Sequence, residues 1–337
     1  MRTLICASPG LLEYGNMPVP EPEKDCAIIK IKRIGICGTD LHAYEGTQPF
    51  FNYPRILGHE LSGELISFDN APGFEKGEAV SLIPYFSCGT CIACRRSRPN
   101  CCADIKVFGV HIDGGMKEYI SVPSKYLLHG EGLSFDELAL VEPLAIGAHG
   151  VRRADVAPGD FVLIIGAGPI GLGTMEFARI AGAKVIALDV NEQRLQFCKE
   201  NLEVHAAVNA LDKDVAGQLK EITGGDMPTS VIDATGNLRA INNAIHYLAH
   251  GGNYVLIGLQ KEPFSFSHPE FHKRESTLMS SRNATRDDFE HVIKSMKAGR
   301  VNPKTYITHT VDFDEVKKSF ESWLDPKTGV IKAMVQL

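Results

Sequence analysis

The chain has 337 residues, 44% of them hydrophobic and 23% charged, a length that calls for two domains and a composition that supplies a sizeable core. Its formal charge of -6, with no long basic run, gives no electrostatic attraction to phosphate backbones or anionic lipid, which argues against nucleic acid and membrane partners and for small molecules. The first residues soon meet Pro9 and Gly10 without the apolar run of a signal peptide, and no apolar stretch reaches the about 18 residues of a spanning helix, so a cytoplasmic location is expected.

From Cys26 to Ile36 the run CAIIKIKRIGI alternates apolar and polar residues in part, and Gly, Pro and Asn punctuate the next hundred residues. This half reads as β-rich and loop-heavy. After Asp155 to Asp160 the texture changes. FVLIIG, PIGLGTMEFARIAG, KVIALDV, NEQRLQFCKEN, SVIDATG, AINNAIHYLAHGG and NYVLIGL alternate strand-like with helical patterns, as a parallel sheet covered by helices requires. Beyond Ser280 come two helical stretches, DDFEHVIKSMKAG and FDEVKKSFESWL, and a strand, VIKAMVQL.

Of nine cysteines, Cys88, Cys91, Cys94 and Cys102 are spaced C-x2-C-x2-C-x7-C, close enough for four thiolates to converge on one soft metal. In a reducing compartment they read as ligands before disulfides. An iron-sulfur cluster would want its fourth Cys nearer and followed by Pro, whereas Cys102 precedes Ala103. Zinc is favoured, in a structural role, because four sulfurs leave no open position. Cys101 adjoins Cys102, and an exchange between the two stays open.

Cys37, in GICGTDLH, and His59-Glu60, in GHE, offer a thiolate, an imidazole and a carboxylate, which could hold a zinc with its fourth position open. An isolated GHE is more often unrelated to metal. Gly166, Gly168, Pro169, Ile170 and Gly171 form GAGPIG directly after the apolar strand FVLII and at the mouth of a helix, where glycines let a pyrophosphate approach the helix N-terminus. Asp189 ends the next strand, where a carboxylate accepts from ribose hydroxyls and repels a 2'-phosphate, so NAD is preferred over NADP. Asp189 can equally cap the helix that follows. Gly251-Gly252 reads as a plain turn.

The succession GICGTDLH, GHE, the four cysteines, DGGMKEY, EPLAIGAH and GAGPIG resembles the zinc-dependent medium-chain alcohol dehydrogenase family, in its sorbitol and threonine dehydrogenase branch. The resemblance implies an α/β fold: a GroES-like β-rich catalytic domain over residues 1–145, completed by 285–337, and a Rossmann doubly wound parallel-sheet domain over 146–284 that binds NAD. It implies two zinc ions per chain, an active site in the cleft, and a homodimer or homotetramer. Cys37, His59 and Glu60 would bind or adjoin the catalytic zinc, and Glu142 would lie at the same metal. Zinc with one thiolate and one carboxylate is neutral, and adding Glu142 makes the set negative, so Glu142 is expected to ligate in the resting enzyme and yield to substrate. Thr39 and His42 fit a proton relay, or else a turn cap and a solvated histidine, and Asp40 fits a carboxylate orienting His59. Arg194, Thr235 and Gly258 would line the cofactor.

The implied reaction moves a hydride between NAD and a secondary alcohol of a polyol or an L-galactonate-like sugar acid, with L-threonine and neutral sorbitol-type polyols as alternative substrates. A sugar-acid carboxylate needs a cation or donor, for which Arg282, Asn283, Lys273 and His111 are candidates, though each reads equally as a surface residue. Outside enzymes, a zinc-stapled NAD-binding regulator would use Asp189 without needing Cys37, His59 and Glu60 together.

Overall fold

The computed structural model describes residues 1–49 and 51–337, which divide into two compact units. One comprises Met1–Glu142 and Thr285–Leu337, the other Pro143–Ala284. The first break falls inside the helix Val141–Arg153.

In the first unit, a sheet runs in the order Leu127–His129, Ala79–Leu82, Glu60–Phe68, Cys26–Gly35, Lys332–Gln336, Ile307–Asp312, with Tyr119–Pro123 also pairing on Cys26–Gly35. The partly alternating run read as a strand at 26–36 is its organising strand. Ile29, Ile31 and Ile34 are buried with Leu61, Leu65, Val80, Ile120, Phe313 and Val335, and each such side chain contributes about 1.5–3 kcal/mol when fully buried. Register matters for the site: Gly35 faces Glu60 on one side and Met334 on the other. A Cβ on Gly35 would stand 2.1 Å from Glu60 Oε2, so the absence of a side chain there is what admits the carboxylate.

The second unit is a six-stranded parallel sheet, ordered Ala206–Asn209, Lys184–Asp189, Phe161–Ile165, Ser230–Asp233, Asn253–Leu256, Thr277–Ser280. Numbered along the chain this is 3-2-1-4-5-6, the doubly wound order of dinucleotide folds. Phe161–Ile165 is buried from Val162 onward, which explains its unbroken apolar run: a central parallel strand has no solvent face. Among the described residues no helix is long and apolar enough to cross a membrane.

Candidate active site

Cys37 follows the strand Cys26–Gly35 and is the N-cap of the helix Gly38–Tyr44. Asp40, in the first turn, is buried and accepts from the backbone N–H of Cys37 at 2.9 Å and of Gly58 at 3.0 Å. One carboxylate thus ties the two backbone segments that carry Cys37 and His59. The donor atoms of Cys37, His59 and Glu60 lie within 4.8 Å of one another, and His59 and Glu60 are buried. His59 hydrogen-bonds Cys37, while its Nδ1, 3.9 Å from Asp40 Oδ1, is among the buried described atoms without a hydrogen-bond partner. Burial alone would lower the His59 pKa, but Asp40 and then Cys37 outweigh it and raise it well above the ordinary value.

A soft thiolate, an imidazole and a carboxylate converging, two of the three buried, are a donor set that suits zinc.

Two further side chains enter this cluster. Lys332 donates to both carboxylate oxygens of Glu60 and to Ile36 O, and Glu60 and Lys332 are both buried. Tyr85 donates its hydroxyl to Glu142 Oε1, also buried. Burial, with Glu60 adding repulsion, pushes Glu142 up to about 7 against the opposing pull of His59, the Tyr85 hydrogen bond and Lys332. Neither partner was anticipated. Lys332 had a signal, being the one charge inside VIKAMV; Tyr85, in LIPYF, had none. Lys332 also removes the premise of the charge count: with it, Cys37, Glu60 and Glu142 carry a net -2, which zinc cancels, so Glu142 leaves no negative surplus.

Thr39 is half-buried on the helix Gly38–Tyr44, and His42 is exposed, its Nδ1 3.3 Å from Glu45 Oε2 and from Thr47 Oγ1.

Cys88, Cys91, Cys94 and Cys102 form the second cluster, again within 4.8 Å. A tetrahedral zinc with sulfur arms of about 2.3 Å sets its sulfurs roughly 3.8 Å apart. The Cys91–Cys94 and Cys88–Cys102 sulfurs are each 3.5 Å apart, and all nine cysteines are free thiols. Hydrogen bonds from the Thr90 hydroxyl and from the Thr90 and Cys91 amides bring Cys88 down to about 6, toward the thiolate that a metal requires. Cys102 is buried in the cluster, whereas Cys101 is exposed and outside it.

In the second unit Gly166 has φ +101°, a conformation that disfavours a side chain, and a Cβ there would meet Thr235 Cγ2 at 2.8 Å. Gly168 caps the helix Pro169–Ile180, which Pro169 opens and Ile170 continues; a Cβ on Gly171 would strike Gly166 O. Asp189 accepts from Ala167 N at 2.6 Å and from Asn191 N at 2.8 Å, so it braces the glycine turn from the adjacent strand end. Arg194 lies 4.0 Å from where a Gly168 Cβ would stand. Thr235 and Gly258 follow the ends of the next two strands, and Gly258 packs against Gly236 N.

The four candidates for a substrate carboxylate do not form one cluster within a unit. His111 belongs to the first unit and accepts from Val107 N at 3.0 Å; Lys273, Arg282 and Asn283 belong to the second. Lys273 is ion-paired with Glu270 at 2.7 Å, Arg282 is exposed, and Asn283 is a half-buried turn residue at φ +53°.

Residues 23–131 match the alcohol dehydrogenase GroES-like domain family and residues 169–298 the zinc-binding dehydrogenase family. L-galactonate-5-dehydrogenase of Escherichia coli K12 is 43% identical to the chain, over 99% of this chain and 98% of that protein. The chain belongs to the zinc-dependent alcohol dehydrogenase family. It is also 31% identical to sorbitol dehydrogenase of Halalkalibacterium halodurans, over 96% of each chain. Among solved structures, an alcohol dehydrogenase from E. coli CFT073 complexed with NADH has a TM-score of 0.92 and 31% identity, with 100% of this chain and 99% of that one covered. The protein is therefore an oxidoreductase of the zinc-binding, nicotinamide-linked kind, with the GroES-like and Rossmann folds that the sequence implies.

Proposed function

We propose that this dehydrogenase oxidises a secondary alcohol of a sugar acid resembling L-galactonate, with NAD as acceptor, at a zinc held by Cys37 and His59 with Glu60 and Glu142 beside it. The observation that carries the chemistry is the cluster of half-buried Cys37 with buried His59 and Glu60, with Lys332 as built-in counter-charge. The 43% identity to a dehydrogenase of L-galactonate supports the substrate class. Asp189, braced at the glycine turn, supports NAD over NADP.

Zinc at this cluster supplies Lewis acidity toward the substrate hydroxyl, and nicotinamide supplies the hydride acceptor. The chain's own groups do the rest. Asp40 fixes the Cys37 and Gly58 backbones, so the thiolate and the imidazole of His59 meet at one point. Lys332 holds Glu60 and Tyr85 holds Glu142, so each carboxylate keeps a protein partner whether or not it is a ligand. Exchange of Glu60 with substrate then leaves it paired with the Lys332 ammonium, whereas Glu142 keeps the neutral Tyr85 hydroxyl. The Thr39 hydroxyl would relay the alcohol proton, accepting it as it releases its own, and the exposed imidazole of His42 would exchange the relayed proton with water. The four-cysteine cluster holds a second, structural zinc that clips the loop from Tyr85 to Ile105.

The test is reduction of NAD, followed by absorbance, with L-galactonate, sorbitol and L-threonine compared by kcat/KM. Preference for L-galactonate supports the proposal; preference for sorbitol moves the substrate to neutral polyols, the class of the 31% relative. No NAD reduction with any alcohol, together with about one zinc per chain, favours a regulator instead.

A further inference from the structure

Asp233 ends the strand Ser230–Asp233 and is fully buried. Its Oδ1 accepts from the N–H of Thr235 and of Gly236, each at 3.1 Å, and the Thr235 hydroxyl lies 3.1 Å from Oδ1 and 2.9 Å from Oδ2. Thr235 Oγ1 in turn accepts from Asn237 N at 2.9 Å, and Asn237 Oδ1 caps the helix Leu238–Ala244 through Arg239 N and Ala240 N. The Asp233 carbonyl accepts from Ile257 N and Gly258 N in the next strand end. Among the described residues no lysine, arginine or histidine is one of its hydrogen-bond partners.

The turn held this way is wedged between two others. Thr235 Cγ2 sits 2.8 Å from where a Gly166 Cβ would stand, and Gly236, at φ +61°, faces the Leu259 carbonyl so closely that a Cβ would lie 2.5 Å from it. Gly258 has its own missing Cβ 2.1 Å from Gly236 N. One carboxylate therefore sets the mutual spacing of the turns after the strands Phe161–Ile165, Ser230–Asp233 and Asn253–Leu256, at the carboxyl ends of the sheet where ligands of such folds bind. A carboxylate buried with only hydrogen-bond donors around it is costly to keep, and burial raises its pKa against those bonds.

We propose that Asp233 is a positioning residue for the nicotinamide dinucleotide, acting through Thr235 and Gly236 to fix the turn that meets the cofactor. The inference rests on reading these strand ends as the dinucleotide site. Asp233→Asn keeps the size of the group but replaces an acceptor oxygen with a donor, and Thr235→Val keeps the methyl against Gly166 but deletes the hydroxyl.

The experiment titrates the zinc-loaded wild type and both variants with NADH, reading the fluorescence of the reduced cofactor itself, and records Tm with and without NADH and KM for the alcohol. The expected result is an NADH Kd raised about tenfold in each variant, the double variant no worse than the weaker single one, with zinc content and alcohol KM unchanged. A role in stability alone would lower Tm and leave the Kd of the folded protein where it was, and that result overturns the proposal. If Asp233→Asn fails to fold, Thr235→Val decides by the same criterion. Wild type that binds no NADH overturns the dinucleotide reading itself, whereas wild type that binds and variants that bind equally well overturn only the role of Asp233.

Discussion

The ammonium of Lys332 reaches both carboxylate oxygens of Glu60 at 2.7 Å and the Ile36 carbonyl at 3.0 Å. Burial works against the charge on Lys332, and Glu60 and Cys37 outweigh it, raising the lysine above its ordinary value. Removing one member strands the other. Lys332→Met is expected to cost about 3–5 kcal/mol of stability, and the pair Lys332→Met with Glu60→Gln less than that, because no buried charge is left alone. Chemical denaturation of the two variants checks this; a loss under about 1 kcal/mol in the single variant would refute the coupling.

Metal analysis separates the two clusters. We expect about two zinc per chain, falling to one in Cys94→Ser and in Cys37→Ser alike. Only Cys94→Ser should lose on the order of 10 °C in Tm, since the closed four-sulfur site clips a loop and the open site does not. Cys37→Ser should abolish NAD reduction. Retention of both ions in Cys94→Ser would show that the cluster is not a zinc site.

Asp189 accepts from Ala167 N and Asn191 N, so its carboxylate is held in a fixed place at the glycine turn. Asp189→Ala is expected to lower kcat/KM for NAD by about ten- to a hundredfold while that for NADP rises or holds. Steady-state kinetics with both cofactors measures it. A wild type already faster with NADP would contradict the assignment.

His42 is exposed and adjoins Glu45 and Thr47, so its imidazole is open to solvent. His42→Gln should slow turnover mainly at low pH, with partial rescue by added imidazole or other buffer bases. An unchanged pH profile would remove His42 from proton transfer.

The fold was legible because the two halves of the sequence obey different periods. Interrupted alternation in CAIIKIKRIGI and the strand-helix rhythm after Asp160 each report a local rule, partial burial in one case and a covered parallel sheet in the other. Cysteine spacing is local as well, and of the two adjacent cysteines Cys102 lies buried in the cluster while Cys101 is exposed outside it. Lys332 and Tyr85 escaped because they reach Glu60 and Glu142 through sheet register and loop packing, over sequence separations of 272 and 57 residues, which no local pattern encodes. The charge count left out that same cation: it tallied the ligands of GHE and EPL without the lysine that the strand Lys332–Gln336 brings beside Gly35.

The placement of that strand has a further effect during synthesis. At about 5–20 residues per second, the ribosome needs roughly 14–54 s to travel from Glu60 to Lys332. Through that interval the last residues of Cys26–Gly35, from Arg33 on, lack their second neighbour and Glu60 lacks its cation, while Pro143–Ala284, contiguous in the chain, can complete its own sheet. The nascent chain thus carries an unpaired strand edge and an uncompensated acid, a window in which aggregation or chaperone capture competes with assembly.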